Sequence, residues 1–253
     1  MQWSANQYRR FEDERTRPAA DLVAAIPRES ASVAIDLGCG PGNSTEVLAN
    51  RYPMASISGI DSSEEMIVAA RKRLPNLKFE VADIAHWRTD RPMDVILANA
   101  SLQWVPDHQS LYPRLAAQLA DGGCLAVQTP DNLAEPPHRI GRELAASEKW
   151  RGRIGQVRHP DRHDPQWYYS LLKPLCAHID VWRTTYFHAL QNHAAIVEWF
   201  KGTALRPYLA LLDAAESEAF LGEYLERIAA EMPTLADGTV LLPFPRLFLM
   251  VRK

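Results

Sequence analysis

The stretch "AIDLGCGPGNS", Ala34 to Ser44, sets three glycines at alternate positions directly behind a short apolar run, Val33 to Leu37. An acid, Asp36, stands just ahead of them. Glycines at such spacing let a chain turn sharply and let a ligand lie on bare backbone. A plain turn from strand to helix needs one glycine rather than three. The stretch therefore reads as a ligand-holding turn at the end of a buried strand.

Working outward, short apolar runs alternate with helix-like stretches. Strands are predicted over 32–37, 56–60, 77–81, 93–100 and 124–129. Helices are predicted over 17–26, 43–52, 62–74 and 108–120, the last stopped by the "DGG" at 121–123. In 62–74, Ser62 or Ser63 can cap, acids come first and Arg71, Lys72 and Arg73 come last, the order a helix dipole favours. Such alternation is the mark of parallel βαβ units. Right-handed crossovers then put helices on both faces and the glycine turn at the carboxyl edge of the sheet, where ligands of such folds bind. Beyond residue 130 the rhythm breaks: a long strand over 178–190 and a closing strand over 242–253 frame stretches that are mostly helical. The expected whole is one 253-residue domain: a cofactor-binding core over 31–130, helical insertions at 131–177 and 191–240 forming a lid, and the closing strand.

Composition narrows the function. With 47% hydrophobic residues the chain can bury a substantial core. Its net charge of −3 lacks the basic excess of a general nucleic-acid binder. No apolar run approaches the roughly 18 residues of a membrane helix, and the polar start is no secretory signal. Cys39, Cys124 and Cys176 are odd in number and far apart, so neither a zinc site nor a disulfide framework is expected, and a reducing, cytoplasmic setting fits. The eight histidines are scattered without metal-ligand spacing on a shared helix, so no metal is expected.

Two familiar turns fit poorly. A dinucleotide fingerprint wants G-x-G-x-x-G, but the third place is Asn43 and the third glycine comes one residue early, at Gly42. No Gly-Lys-Ser/Thr follows, so a P-loop is out. The pattern Asp36-x-Gly38-x-Gly40-x-Gly42 instead resembles motif I of the class I S-adenosylmethionine-dependent methyltransferases. That resemblance implies a Rossmann-like, doubly wound, mostly parallel seven-stranded sheet with an antiparallel last strand. It also implies a cofactor turn of Gly38, Cys39, Gly40 and Gly42, with S-adenosylhomocysteine as product. The chemistry agrees: this cofactor carries an ammonium, a carboxylate and a sulfonium but no phosphate. Asp36 can serve the ammonium. Asp61, followed by Ser62 at the end of the second strand, can accept both ribose hydroxyls, as an ionised carboxylate is acceptor-only and bidentate; a nicotinamide enzyme would use the same place. By resemblance, Asp83 takes the adenine amino proton, Ile84 flanks the ring, and Asn99 with Ala100 forms the methionine-side segment.

The fourth strand ends in "ANASLQW". Methyltransferases that act on nucleobases or glutamine show prolines here; the absence of proline, with Trp104 a few residues on, fits the small-molecule branch. Three segments, "WSANQYRRFEDERTRPAADLVAAIP", "EWFKGTALRPYL" and "LPFPRLFLMVRK", resemble one group in that branch, the trans-aconitate methyltransferases. The resemblance implies a methyl ester formed on one carboxylate of a small tricarboxylic acid. A carboxylate is already ionised at neutral pH and needs no general base, so no catalytic side chain is expected beyond those that orient and desolvate. A polyanionic acceptor does need cations, and arginine is the natural clamp. Lys201, Arg206 and Arg246 are the candidates; Trp3 and Tyr8 are expected to close over the cofactor or bind acceptor oxygens. The readings left beside this one are an O-methyltransferase for another small carboxylic acid, a nicotinamide-dependent oxidoreductase, and a cofactor-binding module without catalysis.

Overall fold

The computed structural model describes residues 12–157 and 163–253, with side chains from Thr16 onward. The chain divides into two compact units. The first holds the described residues up to Pro130, those from His163 to Thr184, and Arg246–Lys253. The second holds Asp131 to Val157 and Thr185 to Pro245.

The chain forms a sheet of seven strands in the order β3-β2-β1-β4-β5-β7-β6, of which β1 to β5 lie wholly in the first unit. The strands are β1 (Val33–Leu37), β2 (Ser56–Asp61), β3 (Lys78–Val81), β4 (Met93–Asn99), β5 (Leu119–Pro130), β6 (His178–Leu190) and β7 (Val240–Arg252). β1 lies between β2 and β4 and is parallel to both, so the order reverses beside it. β7 runs antiparallel to β5, from Cys124 opposite Arg252 to Pro130 opposite Arg246. All five residues of β1 are buried, as expected of a strand covered on both faces. Helices α1 (Glu12–Ala24), α2 (Asn43–Arg51), α3 (Glu64–Arg73) and α4 (His108–Ala117) follow in the predicted places. Ser63, not Ser62, caps α3 by accepting from the Met66 N–H at 3.4 Å.

The core of this unit joins Ile35, Leu37, Ile96, Leu111, Leu115, Leu125 and Val127 to Leu247 and Leu249 of β7. Tyr168 and Leu172 of helix α7 (Pro165–Leu172) belong to the same core, so part of the expected 131–177 insertion packs with the sheet. The second unit contains α5 (Pro136–Ala146), α6 (Arg151–Ile154), α8 (His193–Lys201), α9 (Arg206–Leu209) and α10 (Ala214–Glu231). The last opens on a capping box between Asp213 and Glu216.

One expectation is corrected. The "DGG" does not stop a helix: α4 ends at Ala117, and β5 already begins at Leu119. The pairing of β4 with β5 slips register between Met93 and Val95, and the glycines serve that irregularity. Gly122 has φ +68°, and a Cβ on Gly123 would sit 2.7 Å from the Met93 carbonyl oxygen.

Asp94 on β4 fixes the start of the central strand. Its carboxylate accepts from the Ser32 and Val33 N–H groups at 2.7 and 3.1 Å and from Arg28 Nη2 at 2.7 Å. Removing it strands a guanidinium and two amides in a partly buried place. Asp94→Ala is expected to lower unfolding stability by about 2–4 kcal/mol. Urea denaturation checks this: the midpoint falls at unchanged slope, and an unmoved midpoint refutes the role.

Candidate active site at the carboxyl edge of the sheet

The glycine turn is locked by its own neighbours. The Gly38 and Cys39 N–H groups both donate to the Ile60 carbonyl, at 2.8 and 2.9 Å. Ser101, just past β4, donates its hydroxyl to the Leu37 carbonyl at 2.6 Å. A Cβ on Gly38 (φ +77°) would lie 2.3 Å from the Ser101 Cβ, and one on Gly42 (φ +92°) would lie 3.3 Å from the Ala70 Cα of α3. Packing inside the fold therefore demands glycine at these two positions. Gly42 also caps α2 with no side chain of its own, leaving the first amides of that helix uncovered by a capping group.

The predicted acids take distinct positions. Asp36 on β1 is fully buried. One carboxylate oxygen, Oδ2, accepts from the Ser44 and Thr45 hydroxyls, both at 2.7 Å. The other, Oδ1, is buried with no hydrogen-bond donor. Burial pushes the Asp36 carboxyl up from its ordinary 3.8 to about 6; the two hydroxyls oppose this and the charge of Asp61 adds to it. Asp61 at the end of β2 spans the glycine turn and the cap of α3, accepting from the Gly40 N–H at 3.0 Å and the Ser63 N–H at 2.9 Å. Burial raises its carboxyl too, against those same amides. Ser62 beside it is exposed. Asp83 is exposed and accepts from the Ala85 N–H at 2.8 Å, a tight turn around the buried Ile84. Cys39 is buried, and burial raises its thiol far from any reactive range.

Beyond β4 the backbone is strained and held from both sides. Ala100 has φ +54°, a region non-glycine residues rarely enter. Its N–H donates to the Gln128 carbonyl at 2.8 Å, and its own carbonyl accepts from Gln103 Nε2 at 2.7 Å. Asn99 and Gln128 are direct neighbours across β4 and β5. Asn99 Oδ1, Gln103 Oε1 and Gln128 Nε2 are all buried without a hydrogen-bond partner. Arg246 is 5% exposed and donates through Nη1 to Gln128 Oε1 at 3.4 Å. Sequence reasoning missed Gln103, Gln128, Ser44, Thr45 and Ser101. The tail of "NASLQW" was the available signal for Gln103. Gln128 is an amide inside the apolar strand "CLAVQT", a departure that itself calls for a partner.

The other candidates lie elsewhere. Lys201 pairs with Glu198 at 2.8 Å on a partly exposed helix face, and Arg206 is exposed; both belong to the second unit. Trp3 and Tyr8 lie outside the described residues. Among the histidines, His108 is structural: Nε2 donates to the Leu102 carbonyl at 2.9 Å, which leaves Nδ1 to accept from the Tyr168 hydroxyl at 2.7 Å. No cluster of three or more metal-ligating side chains occurs among the described residues, and none of their helices is long and apolar enough to cross a membrane.

A methyltransferase domain model matches residues 28–173. The trans-aconitate 2-methyltransferase of Methylobacterium radiotolerans is 51% identical over 255 residues, covering 99% of this chain and 98% of that one. The chain belongs to the trans-aconitate 2-methyltransferase family. Solved structures share the class I methyltransferase fold at low identity. The YcgJ protein of Bacillus subtilis aligns with a TM-score of 0.61 at 12% identity, covering 94% of this chain and 98% of that one. Haemonchus contortus phosphoethanolamine N-methyltransferase 2, solved with S-adenosyl-L-methionine, aligns at 0.55 and 14%, covering 93% of this chain and 52% of that one.

In this family member the half-satisfied Asp36 carboxylate has a measurable cost. Between pH 3.8 and about 6 the folded chain holds a proton at Asp36 that the unfolded chain has released. Stability therefore falls as pH rises through that window, by about 3 kcal/mol in all, and stays lower above it. Asp36→Asn removes the charge while keeping the shape. Its expected effect in the unliganded protein is a stability gain of up to about 3 kcal/mol at pH 7 that vanishes below about pH 4. Denaturation at both pH values checks the sign; an equal change at both would show that Asp36 is not neutralised on folding.

Proposed function

We propose that this protein moves the methyl group of S-adenosylmethionine to one carboxylate of trans-aconitate, giving the monomethyl ester and S-adenosylhomocysteine. The observation that carries the cofactor side is the set of buried acceptors without donors: Asp36 Oδ1, Asn99 Oδ1 and Gln103 Oε1. Asp36 and Leu97 are register partners on β1 and β4, so Asn99 follows two residues further toward the same edge. A substituted ammonium brings three N–H donors and a positive charge, which is what unmatched acceptors beside a carboxylate need. The residues present thus fit the group. When bound, the cofactor supplies a methyl group on a positively charged sulfur, which leaves readily as a neutral thioether.

The chain's own part follows from its residues. Asp36, Asn99 and Gln103 hold the ammonium end, and Asp61 takes the ribose hydroxyls with the oxygen capacity its two amide contacts leave. Asp83 and Ile84 receive the adenine, the acid at its amino group and the side chain against its face. The acceptor carboxylate uses an oxygen lone pair to form the new O–CH₃ bond as the S–CH₃ bond breaks toward sulfur, so no proton moves and no base is needed. Orientation and exclusion of water then supply the rate, and orientation alone is worth about 7–11 kcal/mol in well-aligned cases. Among the cations, Arg246 is buried at the carboxyl edge and held by Gln128; we assign it to an acceptor carboxylate. Lys201 and Arg206 remain candidates for the same task, and Trp3 and Tyr8 for closure. The relatives named trans-aconitate 2-methyltransferase, about half identical over nearly the full length, support the choice of acceptor over other small acids.

Incubation with methyl-labelled cofactor and a panel of di- and tricarboxylic acids tests the reading. Mass analysis should find one labelled methyl ester, formed fastest with trans-aconitate; absence of any ester, with stabilisation by NAD instead, would overturn it. Arg246→Ala should raise the KM for acceptor by about 10- to 100-fold and leave the affinity for S-adenosylhomocysteine within about twofold. Equal loss of both would remove Arg246 from the acceptor site.

A further inference from the structure

Gln128 on β5 is fully buried, yet half of its amide is unused. Its Oε1 accepts from Arg246 Nη1 at 3.4 Å. A guanidinium only donates, so this contact fixes which end of the amide is oxygen. The other end, Nε2, is a buried donor with no acceptor among the described residues. A donor sealed from water and left unmatched is costly, so this one points to an acceptor that arrives from outside the chain. Asn99 Oδ1, on the neighbouring strand, is unmatched as well, so the two amides do not satisfy one another. The register shows what else lies alongside. Asp36 is opposite Leu97, Asn99 is opposite Gln128, and Gln128 is opposite Phe248, with Arg246 two residues before Phe248 on β7. Paired positions, and positions two apart, share a face of a sheet. Asp36, Asn99, Gln128 and Arg246 therefore issue from one face near the carboxyl edge, all within the first unit. Charge is divided along that edge. Asp61 ends β2 and Asp83 follows β3, on one side of β1; Gln128 and Arg246 stand beyond β4 on the other.

We propose that Gln128 is a substrate-binding residue that sets specificity: its Nε2 and the Arg246 guanidinium take one carboxylate of the acceptor, and that carboxylate is not the one methylated. The assignment rests on the proposed tricarboxylate reaction. A carboxylate suits the place because it offers two acceptor oxygens and a charge opposite to the arginine's. The link through Gln128 Oε1 holds the two donors as a preset pair, so little freedom is lost when the anion arrives. An oxygen that attacks a methyl carbon must keep a lone pair for the new bond. A carboxylate whose oxygens are both taken by N–H donors is a poor nucleophile, so the pair suits an anchor rather than the reacting group. Gln128 then reads the number and placement of the acceptor's charges from the β5 side of the ammonium site. The rival occupant is the cofactor's own carboxylate, and the rival role is that of a prop for Arg246 alone.

The test uses the full chain and two variants. Gln128→Met keeps the length and removes both amide ends. Gln128→Glu keeps an oxygen for Arg246 and puts an anion where the donor was. Steady-state rates are measured with trans-aconitate and with three dicarboxylic analogues, each lacking one of its carboxylates. Gln128→Met should raise the KM for trans-aconitate by about 10- to 100-fold, with kcat within about threefold and S-adenosylhomocysteine affinity within about twofold. Gln128→Glu should cost about tenfold more, because like charges then face each other. For one analogue that is still methylated the Gln128→Met penalty should disappear, and that analogue names the anchoring carboxylate. A Gln128→Glu enzyme with the KM of the unaltered protein would show a prop for Arg246 and overturn the proposal. So would a loss shared with S-adenosylhomocysteine affinity, a fall in kcat at unchanged KM, or an equal penalty for every acceptor. Calorimetric binding of trans-aconitate to the protein loaded with S-adenosylhomocysteine separates this site from the reaction. Binding that depends on Gln128, with no ester formed by the unaltered protein, would overturn the reaction and keep the site. Ester formation with equal acceptor affinity in the unaltered protein and Gln128→Met would overturn the site and keep the reaction.

Discussion

A carboxylate with one satisfied oxygen and one bare oxygen, sealed between parallel strands, is the constraint on which the rest of this protein turns. Asp36 sits in the central strand with its Oδ2 held by Ser44 and Thr45 and its Oδ1 facing no donor. An acid placed so deep is unfavourable for folding, because the charged form has lost its water. On the proposed reading the fold accepts this because a bound ammonium completes the site. The two hydroxyls come from the first turn of α2, so the helix that follows the glycine turn also aims the acid ahead of it. Sequence order, helix start and buried charge are one device.

A second strained feature lies on the neighbouring strand. Ala100 occupies a left-handed backbone conformation that costs of order 1–3 kcal/mol in a non-glycine residue. It is held there by the Gln128 carbonyl on one side and the Gln103 amide on the other. The close approach of Ser101 to Gly38 ties that turn to the glycine turn. The two loops that flank the switch point of the sheet are thus joined by the 2.6 Å hydrogen bond from Ser101 to the Leu37 carbonyl. A preorganised edge of this kind suits a reaction whose rate comes from alignment rather than from acid–base chemistry.

The sheet was legible from the sequence because its central strands β1 and β4 are buried along nearly their whole length and the first three strands are each followed by a turn with its own chemistry: three glycines after β1, Asp61 after β2, Asp83 after β3. The long strand over 178–190 and the closing strand were likewise readable from β-branched and aromatic content. The "DGG" misled because glycine pairs end helices and also fill irregular strand pairings, and only the approach of Gly123 to the Met93 carbonyl separates the two. The acids were visible in sequence, but their unequal roles were not. Asp83 is exposed and Asp36 fully buried, and that difference depends on which strands flank them. Gln103 and Gln128 escaped notice for a related reason: an amide becomes informative only once its unmatched atoms are seen.

The central claim is that Asp36 awaits a cation, and proton release on binding measures that most directly. Calorimetry of S-adenosylhomocysteine binding, repeated in buffers of different ionisation enthalpy, counts the protons that leave the protein. A bound ammonium beside Asp36 lowers a carboxyl that otherwise titrates near 6. The account predicts release of a substantial fraction of a proton near pH 5.5, fading by about pH 7.5 and lost in Asp36→Asn. Binding with no proton release at pH 5.5, or release that survives the substitution, would contradict it.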